Sequence, residues 1–213
     1  MKCDRKHMLL YAVTDRAWTG KQTLKEQVEE ALKGGVTCVQ LREKQLNDPD
    51  FLQEAREIGA LCKEYGVPFI INDNVEVALA CQADGIHVGQ EDMEAGKVRA
   101  LVGDDMILGV SVHTVEEAQK AVENGADYLG LGSVFATTTK TDVDQMPRET
   151  LKAICDSVDV PIVAIGGINK DNLSSLAGSG VDGVALVSAI FSAENIEETD
   201  RELRALSQAM VEA

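Results

Sequence analysis

The sequence predicts an α/β fold, a single-domain (β/α)₈ (TIM) barrel, on three observations. Short apolar runs rich in β-branched residues alternate eight times with segments of helical periodicity. A helix-to-strand phrase recurs as Gln82-Ala83-Asp84-Gly85, Asn124-Gly125-Ala126-Asp127-Tyr128 and Ser179-Gly180-Val181-Asp182-Gly183. No linker rich in Gly, Pro or Ser interrupts the 213 residues, so residues 1–213 read as one domain. An open, doubly wound sheet is the alternative arrangement of the same units.

The elements follow in order. Leu9 to Thr14 reads as the first strand, and Thr23 to Lys33 as an amphipathic helix stopped by Gly34-Gly35. Cys38 to Arg42 is the second strand. Asp48 is the expected cap of a helix to Tyr65, with Pro49 at its first position. Pro68 to Ile71 is a third strand, and Asn72-Asp73-Asn74 opens a helix through Cys81. Gly85 to Val88 is a fourth, followed by a helix from Met93 to Leu101. Met106 to Val110 is the fifth, and Thr114 caps the next helix with Glu117 at the capping-box position. Tyr128 to Leu131 is the sixth, then a long polar loop to Met146 and a helix from Pro147 to Ser157. Pro161 to Ile165 is the seventh, with a short helix from Asp171; Gly183 to Val187 is the eighth, before a last helix from Ile196 to Val211.

Composition narrows the function. Asp plus Glu outnumber Lys plus Arg by 36 to 20, a formal charge of -16. Such a chain repels nucleic acid and anionic membranes, so neither is an expected partner. An anionic substrate must then be held by local cations or a metal ion. Five cysteines without CxxC spacing read as free thiols, and the apolar run Met8 to Val13 is too short for a secretory core. A cytoplasmic protein acting on small molecules is expected, and homo-oligomerisation is compatible with this composition.

Barrels of this kind react at the carboxyl ends of their strands. In Val39-Gln40-Leu41-Arg42-Glu43-Lys44 the alternation of a strand puts Gln40, Arg42 and Lys44 on one face. That face is the barrel axis, and stacked cations there call for an anion between them; a solvated strand end with a Glu43 salt bridge is the bland alternative. The same rim collects Asn72, Asp73, Gln90, Asp92, Ser111, His113, Thr137, Thr139, Lys140, Gly166, Gly167 and Ser188. Asp73 and Asp92 end adjacent strands, and two carboxylates suit Mg²⁺, although each could be only a helix cap. Gly166-Gly167 with Ser188 matches the phosphate cradle common after strands seven and eight, or simply a tight turn. Thr137 to Lys140 would offer hydroxyls and a lysine to a second anion. His87 reads as a satisfied core or rim residue, and His113 as a neighbour of a cap. No zinc spacing, Ser-His-Asp arrangement or GxGxxG is present.

The runs LYAVTDR ending at Arg16, VQLREK (39–44), INDN (71–74), DGIHVGQED (84–92), GVSVHT (109–114), ADYLGLG (126–132), TTTK (137–140), AIGGI (164–168) and VSAI (187–190) resemble thiamine phosphate synthases along nearly the whole chain. The resemblance implies a transferase. It joins hydroxymethylpyrimidine diphosphate to hydroxyethylthiazole phosphate, or its carboxylated form, with Mg²⁺-assisted loss of pyrophosphate. It implies that Gln40 touches the pyrimidine, and that Arg42, Lys44, Asn72 and Lys140 hold the diphosphate. By the same resemblance Ser111 lies at the diphosphate and the reacting carbon, and Asp73 and Asp92 bind Mg²⁺. Thr137 and Thr139 would contact the thiazole, and Gly167, Val187 and Ser188 its phosphate. The catalytic set is then Arg42, Lys44, Ser111 and Lys140. Ser133 departs from the family pattern, which has proline there, and a looser loop is expected. Thiazole tautomerases share this loop but have histidine at that position; such an enzyme, or a non-catalytic binder of thiamine ligands, is the alternative function.

Overall fold

The computed structural model describes residues 3–20, 22–136 and 145–213. Eight parallel strands close a ring in sequence order: β1 (Leu10–Val13), β2 (Cys38–Leu41), β3 (Phe69–Asn72), β4 (Gly85–Val88), β5 (Ile107–Val112), β6 (Tyr128–Leu131), β7 (Ile162–Ile165) and β8 (Gly183–Leu186). The ring shuts where Leu10 of β1 lies level with Val184 of β8. Between the strands run α1 (Leu24–Gly34), α2 (Asp48–Tyr65), α3 (Val75–Cys81), α4 (Ala95–Val102), α5 (Val115–Glu123) and α6 (Arg148–Ser157), with a 3₁₀ turn at Leu173–Leu176 after β7. After β8 come α7 (Ser188–Phe191) and α8 (Ile196–Val211). The open doubly wound sheet is thereby excluded.

Strand alternation sorts the core into two layers. Leu10, Ala12, Val39, Leu41 and Ile71 pack with helix residues such as Val28, Ile58 and Leu203, outside the ring. Tyr11, Val13, Cys38, Ile70, Ile107, Tyr128 and Val163 pack only with one another and a few chain neighbours, inside it.

The recurring aspartate has a structural task. Asp84, Asp127 and Asp182 each stand just before an even-numbered strand and accept from the backbone of the preceding odd strand. Their partners are Phe69 N at 2.9 Å, Leu108 N at 2.8 Å and Ile162 N at 2.8 Å. Before β2 the hydroxyl of Thr37 takes the same place, accepting from Leu10 N at 2.9 Å. Four side chains thus satisfy N–H groups that the ladder leaves over at the barrel floor.

The caps differ from expectation in two places. Asn47, not Asp48, caps α2 by accepting from Asp50 N at 3.1 Å, so Pro49 lies in the second helical position. Thr114 does cap α5, but the Glu117 carboxylate passes Thr114 N and accepts from His113 N at 2.7 Å, so the capping box is not closed. The α1 cap is a complete box between Thr23 and Glu26.

One buried group opposes the fold. Asp200 of α8 is fully buried, and among the described residues neither of its carboxylate oxygens has a hydrogen-bond partner. It lies where α8 and α1 approach closely: a Cβ on Gly34 would sit 2.5 Å from the Asp200 Cβ. Burial pushes its pKa up to about 8. An acid raised on folding favours the folded state below its unfolded pKa, and that advantage disappears as pH rises through the folded value. Stability contributed here is therefore lost between roughly pH 4 and pH 8. Asp200→Asn should raise the unfolding temperature clearly at about pH 9 and little at about pH 5. Equal shifts at both, measured by thermal unfolding, would rule this out.

Candidate active site

At the carboxyl end of the ring the backbone places a row of charges. Thr14, just past β1, accepts from Arg42 N at 3.0 Å, which fixes the start of the segment after β2. The Glu43 side chain turns back to accept from Lys44 N at 2.8 Å, Gln45 N at 2.7 Å and Leu46 N at 3.3 Å, and from Arg16 Nε at 2.8 Å. Burial alone would raise this carboxyl, but those N–H groups and the Arg16 guanidinium hold it below the usual carboxylate range. Arg16 also bonds both oxygens of Glu54, at 2.8 and 2.7 Å. Glu43 thus anchors the loop, and the Arg42 and Lys44 side chains are left for other partners.

Those partners are anions already in the protein. Lys44 Nζ donates to Asp73 Oδ2 at 2.6 Å, and Arg42 lies 3.6 Å from Asp15 Oδ2. The two cations therefore stand at one mouth without uncompensated repulsion. Asp73 itself lies in the left-handed region, φ 64°, at the centre of a tight turn in which Asn74 N donates to Asn72 O at 2.8 Å, while its own N–H donates across to His87 O of β4 at 2.8 Å. Asn74 is the cap of α3, so Asp73 is not. Nor does Asp92 cap α4, whose cap position is Glu94; Asp92 accepts from Gly89 N at 2.8 Å. Burial raises the Asp73 carboxyl, and the Asp92 carboxylate at hydrogen-bonding range adds to that, together outweighing Lys44. Like charges held together in this way suit a cation binding between them.

Below the mouth lies a chain of buried polar groups. Gln40 Nε2 donates to Tyr11 Oη at 2.9 Å, which is 2.7 Å from Tyr128 Oη. Tyr128 Oη is 2.9 Å from His87 Nδ1, and His87 Nε2 is 2.8 Å from Ser111 Oγ at the rim. Gln90 Nε2 donates to the Ser111 carbonyl at 2.7 Å. Room for the Tyr128 ring comes from Gly109 beside it, where a Cβ would lie 2.1 Å from the Tyr128 Cζ. His87 is a satisfied interior residue, as expected; Tyr11 and Tyr128 went unnoticed, although both occupy inward-facing strand positions.

After β6 and β7 two turns interlock. Val134 N donates to Ile165 O and Phe135 N to Gly166 O, both at 3.0 Å. The Ser133 hydroxyl donates to Phe135 O at 2.6 Å, and Ser133 O accepts from Met146 N at 2.7 Å. These bonds tie Ser133–Phe135 down, while the part of the loop from Thr137 to Lys140 lies outside the described residues. Gly167 has φ 65°, and a Cβ there would meet Ala136 O at 2.3 Å, so only glycine fits. Val187 and Ser188 follow β8 at the start of α7, and Asn72 ends β3 level with His87. Arg42, Lys44, Asn72, Asp73, Asp92, Ser111, Gly167, Val187 and Ser188 all follow or end strands at this face. Gln40 lies just inside. Thr137, Thr139 and Lys140 lie outside the described residues.

Comparison with known proteins agrees with this geometry. The family model described as thiamine monophosphate synthase matches residues 10–190. The thiamine-phosphate synthase of Alkaliphilus oremlandii is 48% identical over 196 residues, covering 92% of this chain and 94% of that protein. That of Clostridium tetani is 47% identical over 194 residues, covering 91% and 93%. The solved thiamine phosphate pyrophosphorylase of Pyrococcus furiosus superposes with a TM-score of 0.90 at 40% identity, covering 97% of this chain and 98% of its own.

Glu43 carries a prediction of its own. Glu43→Ala orphans three backbone N–H groups and half of the Arg16 pairing, at a cost of about 2 kcal/mol. Thermal unfolding should show a fall of roughly 4–8 °C. An unchanged midpoint would mean that the loop is anchored elsewhere.

Proposed function

The chain belongs to the thiamine monophosphate synthase family, and from that membership we propose how its barrel mouth does the work. The enzyme is a transferase that makes thiamine phosphate. The substrates we assign are hydroxymethylpyrimidine diphosphate, an aminopyrimidine, and hydroxyethylthiazole phosphate. The observation that carries the site assignment is the convergence of Arg42, Lys44, Asp73, Asp92 and Ser111 at one end of the ring.

The reaction asks for little proton chemistry. The bond between the pyrimidine methylene carbon and the diphosphate oxygen breaks, and its electron pair leaves with pyrophosphate. The thiazole ring nitrogen then gives its lone pair to that carbon, and no proton needs to be removed. What lowers the barrier is stabilisation of the departing anion by groups already in place. Arg42 and Lys44 fill this role, each held beforehand by a carboxylate that a diphosphate can displace. Ser111 offers a hydroxyl at the reacting carbon, and Asn72 an amide to the diphosphate. Lys140 supplies a further cation, and Thr137 and Thr139 contact the thiazole. Gly167, Val187 and Ser188 receive the thiazole phosphate.

Asp73 and Asp92 would hold Mg²⁺. The fit is chemical: two adjacent carboxylates, one raised by burial and further by the other, are a donor pair that keeps sites for water and phosphate oxygens. When bound, the ion supplies charge neutralisation at the diphosphate. Five cysteines, all free thiols, support a cytoplasmic location, and the continuous ring supports one domain over residues 1–213.

Pyrophosphate release from the two substrates tests the assignment. Lys44→Ala should lower turnover by roughly a hundredfold or more, the usual effect of removing one preorganised donor. Arg42→Lys should also be harmful, since a point charge cannot replace a fork of N–H donors. Full activity after removal of divalent cations would overturn the roles given to Asp73 and Asp92.

A further inference from the structure

We propose that the chain Gln40–Tyr11–Tyr128–His87–Ser111 is a one-way run of hydrogen bonds that couples the two ends of the substrate site. An anion taking the Ser111 proton sets Gln40 to show its carbonyl oxygen to an amino group on the pyrimidine. The inference rests on the synthase reading above and adds three positioning residues, Tyr11, Tyr128 and His87.

The argument is one of counting protons. Each hydroxyl has one proton to donate, and a neutral imidazole has one N–H and one acceptor nitrogen. Tyr11 receives from Gln40 Nε2, so its own proton goes to Tyr128. Tyr128 then donates to His87 Nδ1, which leaves the imidazole proton on Nε2 for Ser111 Oγ. Ser111 is left with its proton for the mouth, and Gln40 with its carbonyl oxygen for a ligand. The opposite direction is equally consistent within the chain. There Ser111 would donate inward and become an acceptor, and Gln40 would present its NH₂ group. Mixed directions leave a buried contact with two donors or none, which is costly at a buried site.

A diphosphate oxygen can only accept. It therefore selects the direction in which Ser111 donates outward, and that direction fixes the Gln40 amide at the other end. The contacts are all 2.7–2.9 Å, so the state of one link constrains the next. The Tyr128 ring is fully buried and lies against Gly109, which keeps its hydroxyl within the chain. An aminopyrimidine offers an N–H to the Gln40 oxygen. Its oxo counterpart would set oxygen against oxygen, and a site built to receive an N–H discriminates strongly against such a group.

The test is the ratio of kcat/KM for the aminopyrimidine diphosphate and its oxo counterpart, by pyrophosphate release. The intact enzyme should prefer the amino substrate by roughly a hundredfold or more. Tyr128→Phe keeps the ring and removes the link, freeing Gln40 to turn, and the ratio should fall below about tenfold. Tyr11→Phe should do the same from the next position, and serves if the first variant does not fold. A purely structural role would lower both substrates alike and leave the ratio unchanged. An unchanged ratio in both variants, or a wild-type ratio near one, overturns the proposal. Absence of wild-type turnover with the amino substrate would instead remove the synthase reading itself, and the proposal with it.

Discussion

A polar group buried inside a closed ring of strands must find its partner among its neighbours, and the rest of the structure depends on meeting that constraint. The interior of this barrel contains two tyrosines, a glutamine and a histidine, and each finds its partner in another of the set. The chain ends at Ser111, where the ring opens. Satisfaction of the interior and preparation of the mouth are thus one arrangement, since an unmet hydrogen bond below would be felt by the side chain above.

Charge follows a similar logic at the rim. An acidic protein of net charge -16 gathers two cations at one end of the ring, and each stands beside a carboxylate. Glu43 would be an obvious partner for its neighbours Arg42 and Lys44. It is instead occupied by three backbone N–H groups and Arg16, which leaves those cations to the carboxylates of Asp15 and Asp73. Positions in sequence and partners in space are in this way deliberately offset: the residue between the cations braces the loop, and residues from other strands balance the charge.

The opposite end of the ring is built for stability. Thr37, Asp84, Asp127 and Asp182 tie each even strand to the odd strand before it, so the barrel is held as four strand pairs at its floor. Asp200 departs from this economy, a fully buried carboxyl with no hydrogen-bond partner among the described residues.

Sequence alone determined the eight alternating units, because a short, fully buried apolar run and an amphipathic helix leave different patterns. The charged residues of the mouth were legible for the same reason: strand ends are visible, and barrels react there. The repeated aspartate was visible as a repeat, but its partner was not, since a backbone N–H some twenty residues away leaves no mark in the sequence. Likewise Asp73 and Asp92 read equally well as helix caps until the backbone put Asn74 and Glu94 at those positions. The Tyr11, Tyr128 and His87 contacts join β1, β6 and β4, which only ring closure brings face to face. Tertiary structure decided what pairs with what, because a hydrogen bond is set by distance in space and the sequence records only distance along the chain.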